Sequence, residues 1–269
     1  MTPELFLLFA AIGAVTGFFS GLLGIGGGTI VTPLLITALA GIFPAESSTH
    51  AAIATSLAVI FFTSIPGAIT HARRGAPDWR VIRLFTAGAF GGAIAAYAAS
   101  NIPGTALNLL LAGFLMRASY IMFRPMRAAP FFRRFAADKF LPAAGAIIGV
   151  LSALLGIGGG VLSSPVLMAR GMTMKTAIAT WAVFNNPLAL FAAAGYVAAG
   201  WHRAAELPEY TLGYVYLPAL GGITAFSMVF AIVGANLTAK LPDQILRRAF
   251  GGILAVLAVR LLYATAVSL

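Results

Sequence analysis

Ser20-Gly21-Leu22-Leu23-Gly24-Ile25-Gly26-Gly27-Gly28 runs into Thr29-Ile30-Val31-Thr32-Pro33-Leu34-Leu35. The pattern returns as Ser152-Ala153-Leu154-Leu155-Gly156-Ile157-Gly158-Gly159-Gly160, followed by Val161-Leu162-Ser163-Ser164-Pro165-Val166-Leu167. Ser20 and Ser152 lie 132 residues apart in a chain of 269, so the sequence reads as two related halves. Each copy ends an apolar, helix-like run in a glycine cluster, then places a proline five residues on. Inside hydrocarbon, broken backbone survives only where protein buries it or where it lines a wet cavity. Paired interrupted segments at matching positions of two halves point to a transporter's binding site.

The composition supports the membrane reading. Sixty per cent of the residues are hydrophobic, 9% are charged, and mean hydropathy is +0.96. Apolar runs of about 18 residues or more, the length that crosses a bilayer, recur from end to end. They are continuous rather than alternating, which argues against a barrel. The class is all-α: a polytopic helical membrane protein. The net charge of +10 reads as Lys and Arg in cytoplasmic loops, not as a nucleic-acid footprint. The chain has no cysteine, which excludes disulfides and thiolate metal sites. Met1-Thr2-Pro3-Glu4 lacks a basic n-region, so the first run is expected to be a retained helix.

Helices are expected at Leu5–Leu23, Thr29–Ile42, His50–Thr70, Trp79–Ser100 and Thr105–Phe123. The second series is Leu141–Leu155, a short run to Met168, Thr176–Ala199, Thr211–Val233 and Gln244–Ala266. Thr29–Ile42, at 14 residues, covers only about 21 Å and is expected to be a half-helix. Phe43–Ser48 reads as a polar turn, with Ser48 or Thr49 capping the next helix. Ala54-Thr55 matches Ala179-Thr180, and Gly113 matches Gly252. The repeats are residues 1–123 and 140–269. Between them, 124–139 interleaves Arg124, Arg127, Arg133, Arg134 and Lys139 with Phe131, Phe132 and Phe135, as in an interfacial linker lying on anionic headgroups.

Loop charge predicts orientation. Arg73–Arg83 and Arg117–Lys139 are strongly basic and belong in the cytoplasm. Glu4, Glu46 and the Glu206/Glu209 loop then fall outside, and Arg170, Lys175, Lys240, Arg247 and Arg248 inside. Arg260 fits less well. This assignment makes the halves an inverted repeat, with the long first and short second segments together returning the chain to its starting side.

The paired glycine motif resembles the TauE/SafE family of sulfite and organosulfonate exporters, as does His50-Ala51-Ala52-Ile53-Ala54-Thr55-Ser56 at the next helix. The resemblance spans the whole length. It implies a secondary transporter, an exporter of a small sulfur-containing oxyanion, in the bacterial inner (plasma) membrane. The second half departs from the pattern, with Lys175 opposite His50 and Trp181 opposite Ser56.

Enzyme readings fail on the residues. The glycine cluster lacks the lysine of a P-loop, and no strand precedes it. Phe18-Phe19 stand where an intramembrane serine protease motif needs glycine. His50, His71 and His202 lie in separate regions with no i,i+4 partner, so neither metal nor cofactor is expected.

Helix N-termini present unpaired N–H groups and roughly half a positive charge. The expected site holds the anion near the midplane between two half-helix N-termini, at Gly24, Gly26, Gly27, Gly28 and Thr29 and at Gly156, Gly158, Gly159 and Gly160. Hydroxyls of Ser20, Thr55, Ser56, Ser152, Ser163 and Thr180 lie nearby, and Asn185 and Asn186 add donors. His50 and Lys175 occupy equivalent positions and are candidates to steer the anion. Single Ser or Thr hydroxyls also bond carbonyls of their own helix, and the asparagines also serve to bridge helices. The expected partners are a small anion and the lipid bilayer, not nucleic acid. The alternatives are a passive anion channel and an importer of a different small anion.

Overall fold

The computed structural model describes residues 3–23, 27–74, 77–123, 137–238 and 243–267. Within them the first half forms α1 (Pro3–Leu23), α2 (Gly28–Leu39), α3 (Ala45–Arg74), α4 (Trp79–Ala99) and α5 (Gly104–Phe123). The second forms α6 (Leu141–Leu155), α7 (Gly160–Ala169), α8 (Met174–Trp201), α9 (Leu217–Thr238) and α10 (Asp243–Val267). Eight apolar stretches among the described residues are long enough to cross a membrane, one in each helix except α2 and α7. Those two have 12 and 10 residues and stop short.

Two expected boundaries move most, while α2 ends at Leu39 rather than Ile42 and α3 runs on to Arg74 rather than Thr70. Ala45–Ser48 is not a turn but the first turn of α3, because the Ser47 and Ser48 amides bond the Pro44 carbonyl. Ser48 and Thr49 therefore lie inside the helix and do not cap it; the Thr49 hydroxyl instead reaches Asn108 of α5. Thr211–Tyr216 is not helical either. It forms a two-strand hairpin, Thr211–Leu212 with Val215–Tyr216, and Gly213 carries a φ of +55° in its turn. The hydrophobic run continues through these residues, but the glycine and the β-branched and aromatic neighbours favour a hairpin. The basic linker at 124–136, and Lys240, lie outside the described residues, as do the side chains of Lys175 and Arg247.

Glycine spacing explains how the helices meet. Gly13, Gly17 and Gly21 recur every fourth residue and line one face of α1. Added β-carbons there would come within 2.6, 2.3 and 2.0 Å of the carbonyl oxygens of Ile223, Ser227 and Ala231 on α9. The constant register makes α1 and α9 parallel, with backbones in contact, the small-residue packing that lipid-embedded helices use. The second half does the same. A β-carbon on Gly145 of α6, the counterpart of Gly13, would lie 2.8 Å from Phe85 Cα of α4. So each half's first helix lies along the other half's fourth helix. The third helices, α3 and α8, pack on one another, and so do the fifth, α5 and α10.

Gly27 and Gly159, at the starts of the two short helices, lie against corresponding places on the preceding long helices. A β-carbon on Gly27 would be 3.4 Å from the Thr16 carbonyl, and one on Gly159 would be 3.4 Å from Ile148 Cγ2. Thr16 and Ile148 are repeat counterparts. The bundle's outside is apolar, with Ile94, Val256 and Tyr263 more than 65% exposed, as expected of a lipid-facing surface.

Two clusters tie opposite ends of the bundle. In one, Asp138 pairs with Arg80 at 2.7 Å and with Arg170 at 2.5 Å, joining the starts of α4 and α6 to the end of α7. In the other, the Tyr216 ring meets Phe9 of α1 and Phe43 before α3, at 6.0 and 5.5 Å between centroids.

The glycine contacts predict a sharp contrast. Gly17→Leu and Gly145→Leu should each cut the yield of folded protein in detergent severely. Gly113→Leu should leave it and the melting temperature near wild type, since nothing lies within 4 Å of a β-carbon there.

Candidate functional site

The two glycine breaks meet in the interior. A β-carbon on Gly28, the first residue of α2, would be 2.9 Å from Gly158 N and 3.1 Å from Ile157 Cα. Gly24 and Gly26 lie outside the described residues. Gly27 and Gly159 take the N-cap positions of α2 and α7, and neither end has a side-chain cap. Two half-helix N-termini therefore approach one point, and only glycine allows that approach.

Leaving the helix frees backbone groups that hydrocarbon cannot satisfy, and side chains take them up. Gly156 turns the chain with φ +66°. Its carbonyl oxygen lies 2.6 Å from the Thr32 hydroxyl and 2.9 Å from that of Ser56, which are 2.8 Å from each other. Thr32 and Ser56 belong to the first half, so the second half's break is finished partly by the first. The Ser152 hydroxyl donates to the Ile157 carbonyl and closes the same turn. The Tyr196 hydroxyl reaches the Ala153 carbonyl at 3.2 Å. The Gly159 amide donates to Asn185 Oδ1 at 2.8 Å. That bond fixes the amide's orientation and leaves Nδ2 as its donor.

Two buried polar atoms here have no partner among the described residues: Thr29 Oγ1 and Asn185 Nδ2. Both residues are 1% exposed. Asn185 Nδ2 would be 3.3 Å from a β-carbon on Gly158, and Thr29 follows Gly28 at the other helix end. An unpaired buried donor costs about 1–3 kcal/mol. Asn185 Nδ2 stands beside the point where the two helix N-termini meet, and a helix N-terminus favours a ligand that accepts hydrogen bonds.

The remaining expected residues are placed as follows. Gly160 opens α7, and Ser163 is fully buried one turn along it. Ser20 lies against Gly27. Thr55 and Thr180 sit apart and act as a matched pair. Thr55 Oγ1 accepts from the Tyr216 amide and Thr180 Oγ1 from the Asp78 amide, each just before the other half's fourth helix. Asn186 bridges helices, donating to the Phe61 carbonyl and lying 3.2 Å from Ser64 Oγ; Phe61 is its own repeat counterpart. His50 is buried at the aromatic end, its Nδ1 3.0 Å from the Glu46 carbonyl and its Nε2 3.1 Å from those of Ala99 and Ile102. It ties α3 to the α4–α5 turn and is remote from the glycine contact.

Sequence reasoning missed Thr32 and Ile60. Thr32 carried a signal: Thr32-Pro33 and Ser164-Pro165 put a hydroxyl residue before the helical proline in both copies. Ile60 carried none. No group of three His, Cys, Asp or Glu suited to a metal occurs among the described residues.

Residues 9–261 match the family model described as Sulfite exporter TauE/SafE. A probable membrane transporter protein of Haemophilus influenzae is 32% identical over 265 residues, spanning 95% of this chain and 97% of that one. A probable membrane transporter protein of Methanocaldococcus jannaschii is 28% identical over 258 residues, spanning 93% and 92%. No solved structure matches.

Removing the donors to Gly156 measures what the break needs. Thr32→Val and Ser56→Ala should each lower stability modestly, because the carbonyl keeps one donor. The double variant should lose more than the sum, by about 1–3 kcal/mol. Thermal unfolding of the four proteins of the cycle in detergent reads this directly.

Proposed function

The chain belongs to the sulfite exporter TauE/SafE family of membrane transporters, and from that premise we propose that it is a secondary carrier exporting a small sulfur-containing oxyanion, sulfite or an organosulfonate. The anion is held where the N-termini of α2 and α7 meet. One observation carries this reading: Gly28 and Gly158 touch, with Asn185 Nδ2, which has no partner among the described residues, beside them and Thr29 next to Gly28 in the chain. Dipoles and N–H groups there stabilise negative charge in low dielectric. Among the described residues no Asp or Glu is buried, and an amine or metal cation would need such a counter-charge.

The two halves, residues 1–123 and 140–269, are proposed to be inverted across the membrane. Reciprocal packing supports this: α1 runs parallel to α9 and α6 lies along α4. So do the two end clusters, because α6 starts at the ionic end and α1 reaches the aromatic end within its first turns. Gly28 and Gly158 are in contact, so an anion enters only when the two ends part. That favours alternating access over an open channel, which needs a continuous pore.

Reconstituted into proteoliposomes, the protein should accumulate sulfite or methanesulfonate against its gradient when a driving ion gradient is applied. Flux that only ever runs downhill would make it a channel, and no flux of any oxyanion would remove the proposal.

Orientation is checked separately. Ser47 is buried, so single cysteines belong at the exposed positions Glu46, Glu209 and Ala137. An impermeant thiol reagent added outside cells should label the first two and not the third. Labelling of 46 and 209 from opposite sides would refute the inverted arrangement.

A further inference from the structure

Asn185 of α8 and Ile60 of α3 are repeat counterparts, 125 residues apart like Thr55 and Thr180. They flank the contact between the two glycine ends. Ile60 Cδ1 would be 2.4 Å from a β-carbon on Gly28, and the Asn185 amide 3.0 to 3.3 Å from one on Gly158. Both residues are buried, at 2% and 1% exposure. The frame around the contact is near two-fold, yet its side chains are not. One flank is an amide whose Nδ2 has no partner among the described residues, and the other is a branched aliphatic chain that can neither donate nor accept.

We propose that this Asn185/Ile60 pair sets substrate selectivity, admitting oxyanions with one face free of oxygen and rejecting tetrahedral ones. The inference rests on the carrier reading above. Sulfite is a pyramid, with three oxygens on one side of sulfur and a lone pair on the other. An alkylsulfonate has three oxygens and a carbon substituent in the same arrangement. Either anion can turn its oxygens toward Asn185 Nδ2 and the helix-end amides, and its oxygen-free face toward Ile60. Sulfate and phosphate carry oxygens in all four tetrahedral directions. Whichever way they turn, one charged oxygen is pressed against aliphatic carbon with its water removed and no donor in its place, which is strongly unfavourable. Polar and apolar sites discriminate unequally: an unpaired buried polar group costs far more than a missing methylene. Ile60 is thus a selectivity element because it offers no hydrogen bond.

The test measures binding by the full-length protein, purified in detergent, using titration calorimetry and thermal shift with sulfite, methanesulfonate and sulfate at matched ionic strength. Wild type should bind sulfite and methanesulfonate at least about tenfold more tightly than sulfate. Ile60→Asn, which mirrors Asn185 on the opposite flank, should shrink the sulfite-to-sulfate ratio by about tenfold, chiefly by improving sulfate. Ile60→Leu should leave the ratio unchanged. Ile60→Thr, β-branched like isoleucine, serves the same purpose should Ile60→Asn lose its thermal transition. Equal wild-type affinity for sulfite and sulfate would overturn the selectivity proposal alone, as would a folded Ile60→Asn or Ile60→Thr with the wild-type ratio. If wild type binds neither sulfite nor methanesulfonate, the carrier reading fails as well.

Discussion

A peptide group that leaves a helix inside hydrocarbon must find its hydrogen-bond partner within the protein, and the centre of this structure follows from meeting that demand. The break at Gly156 frees a carbonyl, which Thr32 and Ser56 cover from the first half of the chain. Ser152 takes the Ile157 carbonyl and Asn185 the Gly159 amide. Because these partners come from α2, α3, α6 and α8, the break exists only in the assembled bundle. The break and the tertiary fold are therefore one construction.

The glycines serve two separate purposes, which chemistry keeps distinct. Gly13, Gly17, Gly21 and Gly145 let helix backbones touch, and side chains there would collide with carbonyl groups of α9 or α4. Hydrophobic burial does little to drive helices together in lipid, so such close contact carries the association. Gly28, Gly156 and Gly158 instead allow a turn and an approach between helix ends. Gly27 has more room, since its nearest neighbour would be 3.4 Å from an added β-carbon.

Near symmetry with local departures is the second theme. Thr55 and Thr180 perform the same anchoring at corresponding places, and Asn186 bonds the carbonyl of its own counterpart. The ends diverge: charge ties one through Asp138, and rings and buried His50 tie the other. The centre diverges too, with Asn185 opposite Ile60. On the proposed carrier reading, directionality and selectivity arise from such departures.

Sequence alone determined the all-α membrane class, because length and continuity of apolar runs are set by bilayer thickness, and that constraint is local. It also determined the duplication and the two short helices, since the glycine clusters and following prolines are visible without any contact. Where local signals competed, it misplaced boundaries: Ala45–Ser48 is polar yet helical, and Thr211–Tyr216 is apolar yet a hairpin. Tertiary structure decided which hydroxyls lie where. Thr55, Thr180 and His50 share residue type and helix position with plausible ligand groups, but backbone groups distant in sequence occupy them. Thr32, unmarked by charge, covers the Gly156 carbonyl, and Ile60 lies against Gly28. The physical reason is that hydrogen-bond partners and close approaches belong to pairs of helices more than 100 residues apart, as for Thr32 with Gly156, and no periodicity within one helix encodes its neighbour.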